Sequence, residues 1–467
     1  MLVLAQSNEE SIRSVIKSVQ ELVQSPAGLL GLMLGVALFV YVALTRNGWR
    51  LAFVVTLLLA MLVDGSGRFF NNTLFPPLEQ IRASSQFTAV AMLGLLSVAT
   101  LRFGQPSWSR LGGGIAVAFL IFEIYYGVRL ILSDQVVRGG LAILTFALAF
   151  LAVPIGLGRT LSDSRNIERL IQTFGIVSIP YVLLNLMQYS YSTNYTIVSG
   201  RFAGISGNPQ HAAMMLSFLV VTLAWLLSRP RSNKIVLPAF AGIIGFSVLL
   251  IAWTGSRTGA LATLLGITLL FRKRAVALIL VGGFTMLMGI VAASMFGEGE
   301  EAFERITSTD NTRQEVWIGG FEEFVKRPVF GTLGDSFSAD VKVVESTPIQ
   351  TIQVLGVSGF IPLLIVYGCI VACVFRMQRI RRSMDELRPS IDYVTAMWTM
   401  TLLMSVFEAI FLGILTFFNL TIYMLAGITS TILAQGQAGY DDSSEPDPEL
   451  DDYDQEEEYS EYENAYE

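Results

Sequence analysis

Apolar residues run along this chain in blocks of up to twenty or so, separated by short polar gaps. A helix needs about 20 apolar residues to cross the hydrocarbon core of a bilayer, so the repeated blocks predict membrane spans. The expected spans are 28–45, 49–63, 86–101, 113–133, 139–157, 168–188, 210–228, 235–254, 258–271, 275–296, 349–375, 392–412 and 416–435. The pattern predicts an all-α, polytopic integral membrane protein of about 12–13 transmembrane helices. Ahead of them, Ile12, Val15, Ile16, Val19, Leu22 and Val23 recur at helical period, which makes 1–27 an amphipathic interfacial segment. Residues 8–24 carry charges and no apolar core precedes a small-residue cleavage site, so a cleaved signal is not expected.

The longest polar gap before the C-terminal tail is 297–346. Inside it, Thr312 and Glu315 have the spacing of a capping box and Pro328 marks a stop, predicting a helix between them. Val316, Trp317, Gly320, Phe321, Phe324 and Val325 fall on one face of that helix, which should lie on or against the bundle instead of crossing it. Arg313 stands in its first turn, where the helix dipole and unpaired N–H groups favour anions and a guanidinium adds a phosphate-binding fork.

Charge sets the orientation. Arg46 and Arg50, Arg102 and Arg110, Arg159, Arg165 and Arg169, Arg229, Arg231 and Lys234, Arg272, Lys273 and Arg274, and Arg376, Arg379, Arg381 and Arg382 cluster in alternate gaps. The positive-inside rule places those gaps in the cytoplasm, and 66–85, 189–209, the turn at Gly255–Arg257 and the 297–346 loop outside. The span 28–435 is then the transmembrane domain, and 436–467 a cytoplasmic tail. The net charge of −7 hides an asymmetry: Asp441 to Glu467 holds 14 acidic residues and no basic one, leaving 31 basic against 24 acidic residues elsewhere, or +7. That tail has no apolar periodicity and is expected to be disordered. Tyr440, Tyr453, Tyr459, Tyr462 and Tyr466 among its acids fit a tyrosine kinase or a basic cytoplasmic partner, and equally a solubilising tail.

Several chemistries find no footing. Cys369 and Cys373 sit one turn apart inside a span without metal-site partners, and the chain has a single histidine, His211. Basic residues scattered over loops give no nucleic-acid footprint. Asp64, Glu123, Arg129 and Glu408 fall inside spans, where structural ion pairing with other helices is the expected role.

The outward face is richer. Ser199-Gly-Arg201-Phe-Ala-Gly204-Ile-Ser-Gly207-Asn208-Pro209-Gln210-His211 puts glycines, a cation and an amide just before a span. Thr254-Gly255-Ser256-Arg257-Thr258-Gly259 is the next outward turn, and an arginine there must reach water or a partner. Arg201-Phe-Ala-Gly204 with Gly207-Asn208-Pro209, then Gly255-Ser256-Arg257-Thr-Gly259, then Arg313 with Trp317, Pro328 and Gly331 together resemble the O-antigen ligase and polymerase superfamily. Ile349-Gln350 through Leu355-Gly356-Val-Ser-Gly359 is similar to that family's helix re-entering the membrane after the long loop.

The resemblance covers about Arg201 to Gly359. It implies a type-C glycosyltransferase-like enzyme of the bacterial inner membrane, without bound metal or other cofactor, that takes glycan from a polyprenyl-diphosphate-linked donor to a sugar hydroxyl acceptor. It assigns diphosphate binding to Arg201 and Arg313. Arg257, Asn208, Ser256, Trp317 and His211, on the same outward segments, complete the expected substrate-binding set. Members acting as ligases carry a histidine near the end of the long loop. Counting back eleven residues from Gly356 gives Glu345 here, and no histidine lies near it. A carboxylate can take the acceptor's proton instead, which makes Glu345 the candidate base and shifts the expectation from ligation toward surface-polysaccharide polymerisation. A peptidoglycan-type polymerase and a flippase for lipid-linked oligosaccharide are the alternatives. A transporter needs a polar path reaching both faces, whereas these motifs gather on one.

Overall fold

The computed structural model describes residues 48–64, 90–98, 113–157, 164–229, 236–272, 313–333, 344–413 and 416–441, with isolated positions between them. The interfacial segment 1–27, most of the span 28–45, both ends of 86–101, all of 275–296, the capping residue Thr312 and the tail beyond Asp441 lie outside the described residues.

The chain is mostly helical, with almost no strand. The elements are α1 (Gly48–Asp64), α2 (Ile115–Leu132), α3 (Val136–Phe150), α4 (Ser164–Ile176), α5 (Ser178–Tyr191), β1 (Ile197–Val198), β2 (Arg201–Phe202), α6 (Pro209–Leu227), α7 (Val236–Trp253), α8 (Arg257–Leu270), α9 (Arg313–Lys326), α10 (Thr347–Ser383), α11 (Arg388–Phe407) and α12 (Phe417–Asp441). Among the described residues six helical stretches are long and apolar enough to cross a membrane: Ile115–Leu132, Val136–Gly156, Ser164–Tyr191, Pro209–Leu227, Thr347–Ser383 and Phe417–Gln437. Three shorter apolar helices, Gly48–Leu62, Pro238–Trp253 and Arg257–Leu270, accompany them.

Burial sorts these helices into centre and rim. Nearly all of the apolar window is buried in α6 (89%) and α12 (94%), against 28% in α10. Ile361, Leu364, Ile365, Val371 and Phe375 of α10 and Ile121, Val128 and Leu132 of α2 are exposed, as lipid-facing residues would be. At the centre, small residues let helices approach closely. A Cβ on Gly259 of α8 would stand 2.5 Å from the Cβ of Ala213 on α6, so the glycine is needed there. Ser217 of α6 donates to the Gly259 carbonyl (2.9 Å) and receives a bond from Thr263 (2.8 Å), adding polar links where lipid tails offer no hydrophobic gain.

Several elements differ from the sequence pattern for local reasons. The expected span 168–188 is two helices meeting at Val177, because Pro180 lacks the N–H that would continue the ladder across the joint. The π-helical turn Leu151–Leu157 closes α3 around Pro154. A hairpin interrupts the all-helical pattern at Ile197–Phe202, where Val198 pairs with Arg201. Its turn residues Ser199 and Gly200 both have positive φ (48° and 64°), as a two-residue hairpin loop requires.

The helix expected in the long loop is α9. Its stripe divides between two surroundings. Gly320 is buried against Val344 and Ile349, while Phe321 and Val325 stay exposed together with Ile318, Val329 and Phe330.

α10 is broken at Gly356 (φ 67°, ψ −164°), a conformation open only to glycine. The chain just after α9 fills the break. The amides of Val357 and Ser358 donate to the carbonyls of Pro328 (2.9 Å) and Val329 (3.1 Å), and those of Thr332 and Leu333 donate to Gln353 (2.9 Å) and Val354 (3.0 Å). Backbone groups the break would leave open are thereby paired with another stretch of chain, which a lipid-embedded structure demands.

Two of the charges inside the helices, Glu123 and Arg129, have partners other than the ion pairs expected. Glu123 is 1% exposed and takes bonds from Tyr423 (2.6 Å) and Asn419, both neutral, so it forms no structural ion pair among the described residues. Arg129 donates to the Phe330 carbonyl (2.9 Å) and lies over that residue's ring. Glu408 does pair with an arginine, and that pair belongs to the site.

Candidate functional site

Four helix N-termini come together at one end of the bundle: those of α6, α8, α9 and α10. Each start is written in the sequence. Asn208 caps α6 by accepting from the Gln210 amide (2.9 Å), with Pro209 at the first helical position. Ser256 caps α8 through the Gly259 amide (3.2 Å). Ser346 precedes α10, whose second residue is Pro348. α9 opens on Arg313 itself.

Arg313 ties these starts together. Its Nη2 reaches Oε1 of Glu408 at 2.5 Å, its Nη1 lies 3.5 Å from the Thr258 hydroxyl at the start of α8, and its guanidinium sits 5.5 Å from the centre of the Phe407 ring. Glu408 ends α11 in an extended conformation and is 2% exposed. Its carbonyl accepts from the hydroxyl (2.8 Å) and the amide (3.2 Å) of Thr347, which joins the start of α10 to the same point. Gln210, in the first turn of α6, completes the ring of contacts. With its NH2 turned to the acids, its nitrogen lies 2.7 Å from Glu408 Oε1 and 3.2 Å from Glu345 Oε2. One amide thus joins the two carboxylates.

Arg201 approaches from the hairpin. It is half-buried, and its Nε donates to the Thr254 carbonyl at the C-terminus of α7 (2.7 Å), immediately before the Gly255–Ser256–Arg257 turn. Gly204 and Ile205 fix the approach from the other side. Gly204 (φ 60°) lies so close to the Asn185 side chain that a Cβ would collide with it, and Asn185 Oδ1 accepts from the Ile205 amide at 2.8 Å.

The structure therefore brings segments 201–211, 254–259, 313–317 and 345–347 to one end of the bundle. It places their side chains unequally. Arg313, Glu345 and Gln210 meet at Glu408. Asn208 and Ser256 spend their side-chain oxygens on helix caps, while Arg257 is exposed at the first position of α8. His211 sits edge-on to Phe418 (5.7 Å) on α12, and its Nδ1 is buried without a hydrogen-bond partner, as is Nε1 of the half-buried Trp317. Glu345 itself is exposed, whereas its place before Pro348 and a span suggests partial desolvation. Val344 and Ser346 on either side are buried, so Glu345 stays exposed between them while its Oε2 reaches the Gln210 amide.

Two residues central to this geometry carry no site role in the sequence reading. Glu408 shows there as an acid inside a span with an ion pair expected, which Arg313 supplies, and Gln210 only as a neighbour of the Asn208-Pro209 start. Four helix N-termini and two guanidiniums favour an anion, and two carboxylates beside them can accept a proton or orient a hydroxyl. Among the described residues no group of His, Cys, Asp and Glu has the makings of a metal centre. No protein-family model matches the chain, and no curated protein matches it either.

Proposed function

We propose that this chain is a membrane glycosyltransferase of the bacterial inner membrane, moving glycan from a polyprenyl-diphosphate carrier to a sugar hydroxyl at the outer face. The observation that carries the reading is the junction at Glu408: three stretches far apart in sequence, around Gln210, Thr258 and Arg313, meet there with Glu345. Arg201 and Arg313 bind the diphosphate. As the bond from the anomeric carbon to the diphosphate oxygen breaks, the electron pair leaves with the phosphate, and the guanidiniums stabilise the growing charge. The acceptor oxygen forms the new bond to that carbon, and its proton passes to Glu345. Glu408 touches neither substrate; it is a positioning residue that holds the Arg313 fork in place.

The long loop with α9, the remaining spans and the sidedness belong to the same proposal, with 297–346 outside and the acidic tail inside. Exposed apolar residues on α9 support a helix lying at the outer membrane surface. A carboxylate where related ligases carry histidine favours a polymerase of surface polysaccharide over a ligase.

The test is turnover by purified protein with a lipid-diphosphate-linked glycan. Arg201→Ala should abolish transfer without loss of abundance, and Arg201→Lys should rescue poorly, since an ammonium keeps the charge without the planar fork. Normal transfer by Arg201→Ala would remove that arginine from the diphosphate site. Movement of lipid-linked glycan across the bilayer with no transfer in the wild type would mean a flippase. In a deletion strain, single repeat units accumulating on lipid would mark a polymerase, and finished chains on lipid a ligase.

A further inference from the structure

At the end of the bundle opposite Arg313, the last turns of α10 carry a basic rim. Arg376, Arg379 and Arg382 are exposed, and none forms an ion pair with another described residue. Two of the three acids nearby are already engaged, and the third, Glu386, is exposed and pairs with none of the three arginines. Asp392 takes Arg381 (2.6 Å) and Arg272 (2.7 Å), and Asp385 takes Arg388 (2.5 Å). Three guanidiniums are left facing outward over two turns of helix.

α12 arrives at the same place. Gly436, in its last turns, packs directly on the side chain of Ile380, between Arg379 and Arg381. Packed helices run about 8–10 Å apart, so α12 delivers the chain one helix diameter from the rim. The most acidic stretch of the protein begins there: from Asp441 to Glu467 there are 14 acids and no base.

We propose that segment 442–467 folds back and docks on the rim formed by Arg376, Arg379 and Arg382. Reach is no obstacle. The 26 residues after Asp441 can extend to about 3.3–3.6 Å each, on the order of 85 Å, while the three arginines lie within one pair of helical turns. Solvent-exposed ion pairs are individually weak, but tethering raises the local concentration of the acidic segment to the order of mM, and several pairs then act together. The sign also matches along the whole segment, so no particular register is required. The rival occupant of such a rim is an anionic lipid headgroup, which presents the same charge from the membrane side.

A cysteine pair separates the two. Ser383→Cys, exposed at the end of α10, and Ser460→Cys are introduced with Cys369→Ala and Cys373→Ala, and the full-length protein is placed in nanodiscs and treated with a short bis-maleimide. Cross-linking should occur in phosphatidylcholine and in phosphatidylglycerol discs at about 50 mM salt and fall several-fold at about 1 M, where the Debye length is about 3 Å. The combined substitution Arg376→Gln, Arg379→Gln and Arg382→Gln should lower the yield similarly. Because the salt series uses protein with its arginines intact, the test stands even if the triple variant folds poorly. No cross-link in phosphatidylcholine at low salt would overturn the proposal, as would a yield indifferent to salt. Cross-linking confined to phosphatidylcholine discs would also overturn it, because the headgroups would then own the rim.

Discussion

Arg313 and Glu408 act as a pair. Removing the guanidinium leaves a 2%-exposed carboxylate without its cation, and breaking a fully buried pair in this way costs about 3–5 kcal/mol. The cost is smaller here, since Arg313 is 27% exposed and Gln210 still reaches Glu408. Arg313→Ala should therefore lower abundance and Tm as well as turnover. The double variant Arg313→Ala, Glu408→Gln should restore abundance and Tm while transfer stays absent. Recovery of transfer in the double variant would reduce Arg313 to a structural role. Glu345 behaves differently because its side chain is exposed. Glu345→Gln should leave Tm unchanged, retain donor binding and lower turnover about 10²- to 10⁴-fold, the usual worth of a general base. An unchanged rate, with chemistry shown to be limiting, would exclude it. The sequence exposes Glu408 as an unusual acid inside a span, yet its partner lies 95 residues earlier on another element, and no spacing rule reaches that far. Glu123 misleads for a related reason. Burial alone demands a partner, but hydroxyl and amide donors satisfy it as well as a cation does.

Among the elements, α9 is legible because it obeys two local rules: an apolar period of 3.6 and a proline stop. The break in α10 is not, because the residues on either side of Gly356 remain apolar and helix-compatible. Only the backbone, φ 67° with ψ −164°, reveals it. The reason for glycine is double. A Cβ at Gly356 would lie 2.4 Å from the Val329 carbonyl oxygen, and one at Gly331 (φ 68°) 2.3 Å from the Val354 carbonyl. Gly356→Ala should destabilise by about 1–3 kcal/mol from backbone strain alone, and further through that contact. Thermal unfolding in detergent should show a clear drop in Tm. Gly368, on the same helix with nothing near its Cβ position, is the control, and Gly368→Ala should hold or raise Tm. The hairpin at Ile197–Phe202 escapes the periodic reading too, since strands of two residues are too short to show alternation.

At the scale of the whole molecule, the apolar blocks announce a helical membrane bundle, and the structure adds which helices sit inside it. α6 and α12 are central because their surfaces are buried all round, which average hydrophobicity cannot distinguish from lipid exposure. The arrangement sets α9 beside the start of α10 and the end of α12 beside its finish. Single cysteines at Glu322 and Gln437, both exposed, should therefore react with an impermeant reagent from opposite sides of sealed vesicles. Labelling of both from one side would undo the assignment of an outer and an inner face. The break in α10 also governs motion. The amides of Thr332 and Leu333 and those of Val357 and Ser358 come from different stretches of chain, yet each pair is closed by carbonyls of the other. They should exchange with deuterium as one set, at one rate, because opening either stretch strips both. A lid hinged at the C-terminal end of α9 would have to unzip a membrane helix to swing. That end of α9 is therefore an anchor, and Arg313 at the other end, 27% exposed, is open without such a swing.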